Sequence, residues 1–93
     1  MYHVYILASR NHGTLYIGVT NSLRTRLDPH RRGKGSIFVR QHGVDRLVYV
    51  ETYERADEAI AREKQLKRWN RDWKIRLTQE NNPDWNDLGH LVE

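Results

Sequence analysis

Apolar and aromatic residues recur along this chain in short bursts. Tyr2 to Ala8 and Leu15 to Val19 are dense in aromatic and β-branched residues, and the six residues between them include Asn11-His12-Gly13. This pattern predicts two strands joined as an antiparallel hairpin, with Gly18 ending the second. Asn21 or Ser22 stands where it would cap a helix whose apolar positions Leu23 and Leu27 fall four apart. Pro29, which lacks an N–H and crowds the preceding turn, is expected to kink or end that helix. Gly33 and Gly35 predict a loop, and "SIFVRQHG" one short helix between a Ser cap and a Gly stop.

The third strand is read at "RLVYVETY", residues 46–53, and with the first two it predicts one antiparallel sheet. The 25 residues that follow Glu54 contain neither Gly nor Pro and read as helix. Their length predicts two helices broken near Asn70. On a helical wheel Ala56, Ala59, Ile60, Leu66 and Asn70 share one broad face, with Glu63 near its centre. A carboxylate turned toward a core needs a partner or a cation, because burial removes its hydration. Lys67, four residues on, is the simplest partner. Beyond Asn81-Asn82-Pro83 the chain turns acidic, and Trp85 and Leu88 are expected to pack back onto the body. Trp69, Trp73 and Trp85 all read as core and helix packing.

Ninety-three residues are enough for one domain, residues 1–93, with a single modest core and an acidic tail from about residue 80. Without cysteine the sequence excludes disulfides and thiolate metal sites and suits a reducing cytoplasm. No apolar run approaches the roughly 18 residues of a membrane span, so neither a membrane anchor nor a signal peptide is expected.

Charge sharpens the picture. All 16 Lys and Arg lie within residues 1–79 beside only eight acids, a net +8, whereas the tail from Glu80 carries four acids and no Lys or Arg. Residues 19–46 alone carry seven basic side chains (Arg24, Arg26, Arg31, Arg32, Lys34, Arg40 and Arg46) against two acids. A well-solvated surface would account for some of this, but twelve Arg against four Lys favours a phosphate-bearing partner. Arg26 borders the buried side of its predicted helix, and His30 follows four residues along. With Glu63 they make a phosphoryl-transfer set: a cation for developing charge, a proton acceptor and a hard oxygen ligand for a divalent ion. Tyr5 and Tyr16, if they meet across the hairpin, are a cross-strand aromatic pair or two phenols facing a phosphate or an attacking water. Gly18 either lets a ligand approach the strand closely or marks a bulge.

The order of these features resembles the GIY-YIG nuclease superfamily, its small single-domain bacterial branch in particular. The two triplets are "HVY" at His3 to Tyr5 and "YIG" at Tyr16 to Gly18. They are followed by "TNSLRTRL" with Arg26, then His30, "KGS", "LVYVE", "AREKQLKRW" with Glu63 and "NNPDWNDL" with Asn82. His3 stands where the name-giving glycine would be, and Pro29 precedes His30. The resemblance implies an α+β fold, a small three-stranded antiparallel sheet flanked by helices. It also implies a metal-dependent endonuclease acting on DNA, structured or single-stranded, in repair or recombination. Glu63 would hold one Mg²⁺ or Mn²⁺. Tyr16 or His30 would be the general base, Arg26 would stabilise the phosphorane, Tyr5 would orient the phosphate or water, and Asn82, Gly18 and Lys67 would support the site. RNA remains an alternative substrate. Many relatives add a separate DNA-binding domain, so here affinity is assigned to Arg24, Arg31, Arg32, Lys34 and Arg40 or to a protein partner. The alternative reading is a catalytically weak nucleic-acid-binding module of the same fold.

The charge distribution makes one prediction directly. Binding to DNA should weaken steeply with salt, by about 0.9 in the log–log slope for each phosphate contacted. A titration in which affinity is the same at low and high salt would refute the basic segment as a phosphate-binding surface.

Overall fold

The computed structural model describes residues 1–10, 13–24, 43, 44 and 46–91. The predicted Pro29 kink, the Gly33–Gly35 loop and the short helix of residues 36–43, apart from its closing Gly43, lie outside the described residues. The three predicted strands are present as β1 (Tyr2–Ala8), β2 (Leu15–Thr20) and β3 (Arg46–Tyr53). They form one antiparallel sheet in the order β2-β1-β3, so the first strand is the central one. Gly18 does not end β2, which continues to Thr20. Beyond it the Thr20 hydroxyl accepts from the Ser22 N–H at 3.1 Å, turning the chain into a helical start at Leu23 and Arg24.

Alternation along β1 divides two cores. Val4, Ile6 and Ala8 point to one face and join Ile17, Val48, Tyr49 and Trp85. Tyr5 and Leu7 point to the other and join Leu23, Val44 and Leu47. In β3 the period of two breaks: Ile6 pairs with Tyr49 but Leu7 pairs with Leu47, leaving Val48 as the extra residue of a β-bulge. Val48 and Tyr49 consequently turn to the same face.

On that face lies α1 (Ala56–Arg68), seated through Ala59 and Leu66, both fully buried. Asp57 and Glu58 in its first turn and Lys67 and Arg68 in its last complement the helix dipole. The wheel reading needs correction at two positions: Ile60 is 42% exposed, and Asn70 belongs to no helix. Asn70 is instead the N-cap of α2 (Arg71–Asn81), its side chain accepting from the Trp73 N–H at 3.0 Å. The cap needs an extended backbone, which is why the long helical run breaks there. Trp73 also departs from the expected core role, being 51% exposed and packed edge-on to Trp69.

The polar cluster between β3 and α1 is the main electrostatic attachment of the helix. Glu51 accepts hydrogen bonds from Tyr49 and Tyr53, the latter at 2.6 Å, while the Arg62 Nε and Nη2 reach its carboxylate at 2.9 and 3.0 Å. Arg62 also donates to Gln65 at 2.7 Å and lies over the Trp69 ring, 5.0 Å from its centre. Burial disfavours the Glu51 anion, but bonds from Arg62, Tyr49 and Tyr53 together with the Arg62 charge outweigh it and hold the carboxyl below its ordinary value. Burial and the adjacent Glu51 carboxylate push the Tyr49 phenol upward.

After α2 the chain runs along the free edge of β3. Asn82, nearly buried, donates to Val48 O at 3.1 Å and Asn86 O at 2.9 Å and accepts from the Asn86 N–H at 3.1 Å. Asp87 then accepts from the Leu47 N–H at 3.2 Å. Trp85 and Leu88 pack on opposite faces of the sheet, as part of the wrapping of this edge and in keeping with the expected return of the tail. Trp85 itself adopts φ +56°, an uncommon backbone region for a side-chain-bearing residue, held by its N–H bonding Asn82 O at 3.0 Å.

Two outcomes follow from these attachments. Asn82→Ala should lower unfolding stability by about 2–3 kcal/mol, since it removes three hydrogen bonds and leaves a bulge carbonyl unpaired; denaturant unfolding measures it, and a loss below about 0.5 kcal/mol would show that the tail is not an anchor. Because the folded-state pKa of Glu51 is depressed, its contribution is present above the ordinary Glu value of 4.5 and fades as pH falls through that value toward the lower folded pKa. Glu51→Gln should therefore be less stable than the native chain at pH 7 and approach it in acid; parallel stability–pH curves would contradict the assignment.

Candidate functional site

The antiparallel register sets the two tyrosine triplets side by side. Tyr5 pairs with Gly18, Leu7 with Tyr16 and His3 with Thr20, so all of these side-chain positions share the face away from α1. Tyr5 and Tyr16 are diagonal neighbours, their ring centres 6.5 Å apart with planes inclined by 37°. Gly18 is neither a bulge nor an open approach for a ligand. The Tyr5 ring covers it, and a Cβ there would lie 2.5 Å from the Tyr5 Cζ. Glycine is required so that the ring can lie flat across β2. Tyr5 is 1% exposed and fixed in the core, whereas Tyr16 is half-buried and forms the accessible part of the pair.

His3, at the outer end of the same face, shares a hydrogen bond with Thr52 at 3.0 Å. Burial and the positive chain terminus lower its pKa. Arg24 is exposed at the helical start after β2. Arg26, His30, Arg31, Arg32, Lys34 and Arg40 lie outside the described residues.

Glu63 comes from α1, on the opposite side of the sheet from the tyrosines. It flanks Ala59 and Leu66, and its side chain is 16% exposed. Lys67 Nζ lies 3.4 Å from its carboxylate, and the Lys67 side chain is itself about half exposed. This ion pair is of the weak, solvent-screened kind, so it offsets little of the cost of sheltering the carboxylate. Among the described residues no group of three His, Cys, Asp or Glu side chains converges into a ready-made metal cage. A small hard ion that keeps most of its water and takes one carboxylate together with phosphate oxygens fits Glu63; an ion that demands a full set of protein ligands does not fit the described residues.

Asn82 stands at the β3 bulge, with both ends of its amide engaged by backbone groups. Sequence reasoning missed two groupings. The Glu51–Arg62 cluster had a local signal, since Tyr49, Glu51 and Tyr53 alternate at strand spacing. A basic cleft of about 420 Å³ lined by Arg10, Gly13, Thr14, Leu15, Arg71 and Lys74 had none, because its cations are dispersed along the chain.

Among the described residues no helix is long and apolar enough to cross a membrane. No solved structure matches this chain. UPF0213 proteins of Staphylococcus aureus strains Mu3, Mu50 and N315 are each 33% identical to it over 78 residues, covering 84% of this chain and 95% of the relative. The model of the GIY-YIG catalytic domain matches residues 1–76, from the start of β1 into α2. The two triplets held in register across β1 and β2, with a chain match that spans sheet and helices alike, place this protein in the GIY-YIG family, a superfamily of nuclease-type hydrolases.

Proposed function

We propose that this chain is a divalent-metal-dependent endonuclease that hydrolyses phosphodiester bonds in DNA, acting on structured or single-stranded regions in repair or recombination. The observation that carries the reading is the Tyr5–Tyr16 pair over Gly18. One phenol is immobilised in the core and the other stands beside it at the surface, an arrangement that positions a polar group without spending ordering entropy on binding.

In this reading Tyr16 or His30 takes the proton of the attacking water, and Arg26 neutralises the pentacovalent phosphate. Tyr5 orients the substrate through the fixed tyrosine pair. Asn82 acts at a distance by holding the bulge and the tail. Glu63 would hold Mg²⁺ or Mn²⁺, its carboxylate bound otherwise, among the described residues, only by the weak pair with half-exposed Lys67. When bound, such an ion would supply positive charge to balance the leaving oxygen. Arg24, Arg31, Arg32, Lys34 and Arg40 hold flanking phosphates, and RNA or a targeting protein partner would use the same surface.

The Glu63–Lys67 pair supports a second reading, in which Glu63 is structural and the protein binds nucleic acid without cutting it. Glu63→Gln separates the two. As a metal ligand it should lose at least about 100-fold in metal-dependent cleavage of single-stranded, branched or duplex DNA. It should also lose the rise in melting temperature that Mg²⁺ or Mn²⁺ gives the native chain, while remaining folded. As a helix-surface residue it should lose roughly 0.3–0.5 kcal/mol of stability and keep the same metal response. Equal metal-induced shifts in both proteins would remove Glu63 from the mechanism.

A further inference from the structure

The cleft between the β1–β2 connection and the start of α2 is assembled by long-range contacts. Arg71, the first residue of α2, donates through Nη2 to Gly13 O at 2.5 Å, tying the hairpin connection to a helix 58 residues away in sequence. Lys74, three residues later, lies on the same side of the helix and is half-buried. From the hairpin side the Gly13 N–H bonds Arg10 O at 3.0 Å, and the Thr14 N–H bonds the Ser9 hydroxyl at 3.0 Å. A Cβ on Gly13 would collide with the Ser9 hydroxyl and come within 2.7 Å of Arg10 Cγ, so glycine allows the Arg10 stem to fold back over the turn.

The result is a cleft of about 420 Å³ whose described lining residues include three cationic side chains and no carboxylate. Like charges gathered this closely repel one another, and an anion relieves that repulsion. The remaining lining residue, Leu15, directly precedes Tyr16 on β2. Strand alternation sends the two side chains to opposite faces, so the cleft lies around the hairpin end from the tyrosine pair.

We infer that this cleft binds, through Arg10, Arg71 and Lys74, a backbone phosphate of the nucleic acid whose reacting phosphate is presented to Tyr16. The inference rests on the nuclease reading for the position of that reacting phosphate, but the cleft itself is a binding site whether or not cleavage occurs. It uses side chains other than those of the basic segment, and it gives the substrate a contact at the hairpin end. Arg71 both holds the turn and faces the anion; Arg10 and Lys74 serve the anion alone.

The test is equilibrium binding of a fluorescein-labelled DNA duplex, and of the RNA duplex of the same sequence, across a salt series without divalent ions. The full chain is compared with Arg10→Ala/Lys74→Ala and with Lys64→Ala/Arg68→Ala, which removes equal charge from exposed positions of α1. The cleft variant should lower the salt slope for DNA by about 1.8 and weaken binding at low salt about tenfold, while the α1 variant changes affinity less than about twofold. Loss on DNA alone or on both duplexes tells which backbone the cleft accepts, and either supports it. An unchanged slope, an equal loss in the α1 variant, or no measurable binding by the native chain overturns it. Cleavage by the native chain with Mg²⁺ or Mn²⁺ is scored separately: absent cleavage with a lowered slope overturns the nuclease reading and leaves the cleft, and cleavage with an unchanged slope does the reverse.

Discussion

One extra residue in β3 governs much of this molecule. Because Val48 is inserted opposite the Ile6–Leu7 step, Val48 and Tyr49 face the same way and the strand resumes its alternation shifted by one position. Tyr49, Glu51 and Tyr53 thereby line one face in a row, where Glu51 gathers both phenols and Arg62 of α1. The bulge also leaves the Val48 carbonyl outside the ladder, and Asn82 takes it. A single irregularity thus creates the attachment point of the main helix and that of the tail. The same step explains how a small sheet keeps an edge strand from pairing with other chains: the tail, bonded through Asn82 and Asp87, covers it.

The two faces of the sheet carry different physics. Toward α1 the contacts are aliphatic and aromatic, closed by a charged cluster whose members satisfy one another. Such a cluster adds little net stability over an apolar packing of equal volume, but it allows one placement of α1, since a shifted helix would leave Glu51 or Arg62 sheltered and unpaired. Toward the tyrosines the constraint is steric. Tyr5 can lie across β2 only because position 18 has no side chain, and Tyr16 is positioned against a neighbour that does not move. Reactive geometry is held most accurately by regular elements, and both tyrosines come from paired strands.

Glu63 belongs to the helix packed on one face of the sheet, and the tyrosines belong to the other face. The Arg71–Gly13 bond ties the hairpin rim to α2, and α1 and α2 are joined through only the Trp69–Asn70 step. The hairpin connection is therefore fixed to the helical layer at the end of the sheet that carries Tyr16.

The three strands, the break at Asn70 and the return of Trp85 were legible in the sequence, because each rests on local chemistry. Period-two apolar alternation, a capping side chain and the absence of Gly or Pro over a long run act within a few residues of themselves. The tyrosine triplets and Gly18 were legible as a pair, although their meaning was not: only the register shows that the ring of one lies over the glycine of the other. The wheel found Glu63 on the sheltered side of its helix but also placed Ile60 there, because periodicity gives an angle and not the width of what the helix rests on. Tertiary structure alone decided that Glu51 is matched to Arg62 of α1. It alone set the bulge at Val48, where a one-residue offset reverses which side chains face the core. It alone gathered Arg10, Arg71 and Lys74, since residues so far apart in the chain meet only after the sheet has closed and α2 has docked on its hairpin.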